Sequence, residues 1–444
     1  MNTTNFRILA KDQWMDNNTW NTGLNNNDLI LGPSGSGKTR SYVKPNIMQC
    51  NESLVITDTK GSLLSEVGPV LKNHGYRIIN IDFTDVAGSY GYNPFDYIRY
   101  DKKTKKYNAQ DIITISSCLI PVDSLKDPYW DYAARMYTES MIGYVLECLP
   151  KKEHTLEYVL KLFNEMSTGN FDKFFKELEM QDPDSFALSR YKMFRDIKTA
   201  EKMHESIRGI IAGKISVLNF DGAIKMYRSK NKIDFRELGR EKTAVFLTVS
   251  DMDRSMDKLV NLFYTQALQV LCQSADKDYE NHRLPVPVRF ILDDFAANAY
   301  IPDFDKITSV IRSREIYVSI ILQSISQLND LYGHAKSMTI VNNCDNCLYL
   351  GGQDVETAAY IGTKANKTTN TILNMPLGEA YLFTRGKEPQ KVKKYDIRQH
   401  EKYFELPEAK MEEYRKKMAM CEMNQKEETI QIQYVDYNEI VWDT

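Results

Sequence analysis

Short apolar runs mark both ends of the chain, and long helical periodicities fill its middle. Asp28-Leu29-Ile30-Leu31 is the first apolar run with strand character. Leu54-Val55-Ile56-Thr57-Asp58 and Ile78-Ile79-Asn80-Ile81-Asp82 follow, each closing on an acid. From about residue 105 to 235 the pattern changes. In residues 155–166, Leu156, Val159, Leu160 and Phe163 share one helical face. Residues 127–149 read the same way, with Asp127 or Pro128 as the helix start. Strands resume at 243–250, 288–294, 316–322, 347–352 and 379–384. Strands alternating with helices predict an α/β fold on a βαβ core, here interrupted by an all-α block.

The loop after the first strand carries the clearest chemistry. Gly32-Pro33-Ser34-Gly35-Ser36-Gly37-Lys38-Thr39, followed by Arg40, fits G-x-x-x-x-G-K-[ST] in full. The glycines let the backbone curl until successive N–H groups converge on phosphate oxygens, and a following helix adds partial positive charge. Lys38 is then the residue that reaches the β and γ phosphates of ATP, and the Thr39 hydroxyl binds Mg2+. The segment up to about Cys50 reads as a helix interrupted at Pro45.

Such a loop needs a carboxylate partner. The strand at 288–294 ends in Asp293 and Asp294, the form of a Walker B motif: Asp293 for the metal shell, Asp294 for the attacking water. Asp293 comes 255 residues after Lys38. A compact P-loop domain places this motif after roughly 50–100 residues, a few βα units. An insertion of about 130 helical residues accounts for most of the excess. Gln323 sits just past the apolar run at 316–322, where a polar side chain would sense the γ-phosphate. A backbone-satisfied glutamine is the plainer alternative. Arg312 and Arg314 precede that strand, and either suits an arginine finger supplied to a neighbouring subunit.

Composition narrows the class. A chain of 444 residues, 42% hydrophobic and 11% aromatic, has ample apolar content for a packed core and the length of two domains or of one with a large insertion. With a net charge of −3, no global basic field advertises nucleic acid, so any DNA contact is local. The lysines at 102, 103, 105 and 106, and at 391, 393 and 394, are candidates for it, or else solvated faces. Seven scattered cysteines form no disulfide framework, and Cys344-x-x-Cys347 reads as two half-buried strand residues. No uncharged apolar run approaches the roughly 18 residues of a membrane helix. The longest candidate, 316–328, reads as a strand plus turn.

Taken in order, these segments resemble the coupling proteins of type IV secretion and bacterial conjugation, the TraG/TraD-like DNA-transfer ATPases within the FtsK/HerA group of ring-shaped DNA pumps. The P-loop region, Val55-Ile-Thr-Asp58-Thr-Lys60-Gly-Ser, Asn93-Pro94-Phe95, the 290–298 segment and the glutamine strand each match a family motif. The resemblance implies a RecA-like P-loop domain with an inserted all-α domain. It implies a hexameric ring, ATP and Mg2+, and movement of a relaxase-DNA complex towards a secretion channel. It gives Lys38, Thr39, Asp293, Asp294 and Gln323 the roles stated above and makes Arg312 the better finger. The chain departs from the family at Asp294, usually Glu, and at 58–62, usually D-P-K-G-E. It also shows none of the membrane-spanning helices with which typical members begin. The chain is therefore a soluble variant recruited by a membrane partner or the cytosolic piece of a longer protein.

The expected organisation is 1–104 and 236–424 as two parts of the nucleotide-binding domain, 105–235 as the helical insert and 425–444 as an acidic tail. The expected location is cytoplasmic, at the inner face of the cell membrane only through a partner. Two other duties fit the same residues: a ring motor for DNA segregation, packaging or processing, and a nucleotide-gated receptor that does not hydrolyse.

Overall fold

The computed structural model describes the chain except residues 1–4, 87, 123–127, 169, 198–200, 251, 296–298 and 416–444. The acidic tail, the helix start at Asp127 and the 296–298 end of the carboxylate motif lie outside the described residues.

The strands in chain order are β1 (Phe6–Ala10), β2 (Gln13–Asp16), β3 (Asp28–Leu31), β4 (Ser53–Asp58), β5 (Arg77–Asp82), β6 (Tyr100–Asp101), β7 (Lys106–Tyr107), β8 (Thr243–Thr248), β9 (Val288–Leu292), β10 (Ile316–Leu322), β11 (Asn346–Tyr349), β12 (Glu379–Thr384) and β13 (Gln390–Lys393). Among the described residues, nine of them form one sheet in the order β13-β12-β11-β3-β10-β9-β4-β8-β5. From β11 to β5 each neighbour runs parallel to the next. Strands β12 and β13 close the β11 edge as an antiparallel hairpin.

Every residue of β3, β4, β8, β9, β10 and β11 is buried. Helices cover both faces of a parallel sheet, so its strands read as unbroken apolar runs and not as alternation. That is why β3 and β10 begin and end where the sequence pattern places them; the antiparallel β12, buried but for Glu379, does so as well. β8, β9 and β11 end earlier than the pattern suggests, before Val249-Ser250, Asp293-Asp294 and Leu350-Gly351-Gly352, because the chain turns at the sheet edge.

Between β7 and β8 the larger elements are helical, from Ala109–Leu119 to Asp221–Arg228. The helix Tyr129–Cys148 is their hub, packed against Ala109–Leu119, Leu156–Asn164, Phe186–Ile197 and Glu201–Ile215. Ala133, Ala134, Tyr137, Met141, Ile142 and Val145 are all buried on it. The Asn93-Pro94-Phe95 segment anchors the root of this block. The Asn93 amide donates to the His154 carbonyl at 2.9 Å, and the Tyr97 hydroxyl to the Ile233 carbonyl at 2.6 Å. Gln266, on the long helix Asp257–Asp278, accepts from the Tyr92 hydroxyl at 2.6 Å and donates to the Pro94 carbonyl at 3.0 Å.

Four local features differ from the sequence reading. Residues 1–28 carry the β1–β2 hairpin, with Ile8 and Leu9 in the core. Ile325–Tyr332 is a helix, not a turn: Ser324 caps it and Ile325 and Leu328 are buried. Cys344 and Cys347 are buried, not half-buried, and only Cys347 lies in a strand. Burial pushes the Cys347 thiol up to about 11. Finally, Pro45 does not interrupt the helix after the loop. Lacking an N–H, it cannot close an α bond to residue 41, and the chain widens just before it into a π turn, Thr39–Val43.

Candidate active site

Sheet register brings four strand tips to one edge. Leu322 of β10 and Tyr349 of β11 both pair with Leu31 of β3. Leu292 of β9 pairs with Ile320, so Asp293 and Asp294 emerge level with the end of β10. The phosphate-loop sequence is therefore a neighbour of Gln323 and the two acids, which follow it by more than 250 residues in the chain.

The loop itself is strongly curled. Gly35 and Gly37 have φ of 78° and 93°, a region that disfavours any residue with a Cβ. Gly32 faces a different constraint: a Cβ there would lie 2.5 Å from the Ser36 Oγ. The Gly32 N–H donates to the Leu322 carbonyl at 3.0 Å, which ties the loop to β10. Ser34 and Pro33 form the exposed crest. The Lys38 ammonium donates to the Gly32 and Pro33 carbonyls at 2.8 and 3.2 Å and lies 3.8 Å from the Asp294 Oδ1. Arg40, largely exposed, is held at 3.2 Å by Glu408.

The Thr39 hydroxyl donates to the Asp293 Oδ2 at 3.3 Å. Burial, and then the neighbouring Asp294, push the Asp293 carboxyl up to about 6 against the pull of Lys38. A hydroxyl, a carboxylate and a second carboxylate one residue on are hard oxygen donors in a site where negative charge outweighs its single lysine. That donor set fits a divalent cation such as Mg2+. Asp294 itself adopts φ of 46°, in the left-handed region.

Gln323 is exposed at the tip of β10 and donates its backbone N–H to the Gln327 Oε1 at 3.1 Å. It borders a cavity of about 240 Å³ with Pro33, Tyr349, Gly352 and Asp354. The two arginines go elsewhere. Arg314 forms a two-pronged pair with Asp276 at 2.8 and 2.9 Å. Arg312 reaches the Thr19 carbonyl at 3.4 Å, at the start of β10. The seven residues of β10, roughly 23 Å of strand, separate it from the loop of its own chain. Of the acid-and-lysine motif at 58–62, Asp58 is used structurally: it accepts from the Leu63 and Lys60 N–H groups at 2.7 and 3.3 Å and so starts the helix Leu63–Asn73.

Sequence reasoning missed what fixes the other end of the loop strand. Asp28 is buried and accepts from Arg7 at 2.8 and 3.1 Å, from the Tyr42 hydroxyl at 2.6 Å and from Asn346 at 3.0 Å. Tyr42 belongs to the π turn after the loop, so this cluster locks both flanks of the loop together. Only the Asp28 side chain at the head of an otherwise apolar run signals it.

The chain is similar to several known proteins. Protein VirD4 of Rhizobium radiobacter is 22% identical over 382 residues, covering 80% of this chain and 50% of VirD4. The chain thus spans half the length of that relative. The solved structure of the bacterial conjugative coupling protein TrwBdeltaN70, in an unbound form, superposes with a TM-score of 0.63 at 17% identity, covering 87% of this chain and 88% of that one. The plasmid coupling protein TrwB in complex with ADP and Mg2+ superposes at 0.61 and 18% identity, covering 83% and 85%. The fold is that of TrwB: an α/β nucleotide-binding domain with an inserted helical domain. The family model described as type IV secretory system conjugative DNA transfer matches residues 2–401. The chain belongs to that family.

Proposed function

We propose that the chain is the ATP-driven motor of a conjugative coupling protein, which brings a relaxase-DNA complex to a type IV secretion channel. The observation that carries this is the convergence of the loop, Gln323 and Asp293–Asp294 on one sheet edge in a chain of this family.

The curled backbone of 32–39 cradles the ATP phosphates, and Lys38 leaves its loop carbonyls for the β and γ phosphates. Thr39 and Asp293 hold Mg2+, which neutralises phosphate charge when bound. Asp294 orients the attacking water, and Gln323 reads the γ-phosphate. Arg312, remote from its own loop, serves a neighbour's, which requires a ring, here a hexamer. Residues 1–104 and 236–424 form the motor domain and 105–235 the helical insert that meets cargo. Among the described residues no helix is long and apolar enough to cross a membrane. Attachment at the inner face of the membrane is assigned to a partner or to a part of a longer chain.

A nucleotide-gated receptor is the second reading. The short Asp294 side chain, drawn towards Lys38, favours it. Measuring ATP hydrolysis with and without single- and double-stranded DNA, alongside mass in solution, separates the two. DNA-stimulated turnover by a hexamer supports the motor. Binding without turnover, at any DNA concentration, supports the receptor.

A further inference from the structure

The lysines at 391, 393 and 394 read in sequence as one basic cluster. The fold separates them. Lys391 pairs with Glu379 across the β12–β13 hairpin, and Lys393 is exposed. Lys394 turns inward, and its ammonium donates to the Ser36 carbonyl at 3.0 Å, inside the phosphate-loop sequence. Among the described residues it has no carboxylate within ion-pair distance. Burial alone lowers its affinity for a proton.

Its mount is firm. The Lys394 N–H donates to the Gly378 carbonyl at 3.0 Å, and the carbonyl of Lys393 accepts from the Lys11 N–H at 3.0 Å. β13 is paired with β12 along its length. The lysine is thus held from an edge hairpin that is itself tied to the N-terminal hairpin.

Peptide geometry gives this contact its meaning. The Ser36 carbonyl and the Gly37 N–H belong to one trans peptide unit, so they point in opposite directions. Gly37 also carries the φ of 93° that only glycine adopts without strain. A cation on the Ser36 oxygen holds that carbonyl on the outside of the loop and polarises the peptide, which makes the Gly37 N–H a stronger donor on the inside.

We infer that Lys394 is a positioning residue for nucleotide: by pinning the Ser36 carbonyl outward it aims the Gly37 N–H at the phosphates. This rests on the reading of residues 32–39 as the ATP cradle. It also removes Lys394 from the candidate DNA contacts.

The test compares Lys394→Met, which keeps the aliphatic stem, with Lys394→Arg, which keeps a donor. Equilibrium binding of ADP and ATP is measured with kcat and KM for ATP, and the melting midpoint of each variant is recorded. Lys394→Met is expected to weaken ADP and ATP alike by about tenfold, the scale of one charge-assisted hydrogen bond, and to raise KM while kcat stays within about threefold. Lys394→Arg is expected to recover most of the affinity. A lower melting midpoint with unchanged nucleotide affinity in the folded fraction would overturn the inference, as would an Arg variant no better than Met. Lys38→Ala is run in parallel. If it loses nucleotide while Lys394→Met retains it fully, the inference fails and the cradle stands. If the wild-type protein binds neither nucleotide, both fall.

Discussion

The two ends of β3 hold the same kinds of groups in opposite states. At its start, each oxygen of the buried Asp28 accepts two donors, drawn from Arg7, Tyr42 and Asn346. Arg289 on β9 completes the cluster, paired with Glu52 and donating to the Asn26 carbonyl at 2.9 Å. At the far end, roughly 13 Å along the strand, Asp293 takes one hydroxyl and one backbone N–H. Lys38 stands 3.8 Å from Asp294 and otherwise bonds its own loop. The difference separates a buried scaffold from the end proposed to carry the chemistry. A buried carboxylate with both oxygens doubly bonded fixes geometry, although among the described residues Glu52 Oε2 and Arg289 Nη2 beside it find no hydrogen-bond partner, whereas the far end is more thinly bonded in the protein.

The contrast breaks most visibly if the readouts cross. Arg289→Ala strands Glu52 in the core, so unfolding stability in urea is expected to fall by about 3–5 kcal/mol. Nucleotide affinity per folded molecule should hold. A loss below about 1 kcal/mol would show that the network is dispensable. Lys38→Ala should do the reverse. Turnover is expected to drop roughly 100- to 1,000-fold, the scale of removing one transition-state donor. Its urea midpoint should move little, because Lys38 bonds two loop carbonyls and otherwise meets only the long, part-exposed pair with Asp294 at 3.8 Å. An unfolded Lys38→Ala protein would mean that the thin end is structural after all.

The sequence disclosed these two ends unequally. The loop is local, eight consecutive residues that fit one pattern in full. Asp293, Asp294 and Gln323 were legible because a buried parallel strand is a bounded apolar run, and whatever follows it sits at the sheet edge. Arg289 was illegible for the same reason. Inside Val288–Leu292 it reads as a blemish in a strand, and its partners Glu52 and Asn26 lie 237 and 263 positions away. Pairing over such distances is set by strand order, which no local pattern encodes. Lys394 shows a subtler limit: its charge was visible, but the hairpin decided which way it faced. The β1–β2 hairpin hid in an asparagine-rich stretch because one buried strand of five residues leaves little periodicity to detect.

The same substitution made at both ends gives the finest test. Asp→Glu adds one methylene and keeps the charge. At Asp28 the extra length meets a closed set of donors and packed neighbours, so a cost of about 1–3 kcal/mol is expected. At Asp294 the side chain is about a third exposed, so there is room. The cost there comes from the backbone, whose φ of 46° suits Asp better than Glu, and should stay near 1 kcal/mol or less. Glu at 294 also restores the residue that the family motif usually carries, and turnover is expected to rise, by less than about tenfold. Should turnover fall instead, the short carboxylate is matched to Lys38, and the thin end of β3 is as closely fitted as the Asp28 end, with a ligand in place of a protein partner. Should both variants lose equal stability, the distinction between the two ends disappears.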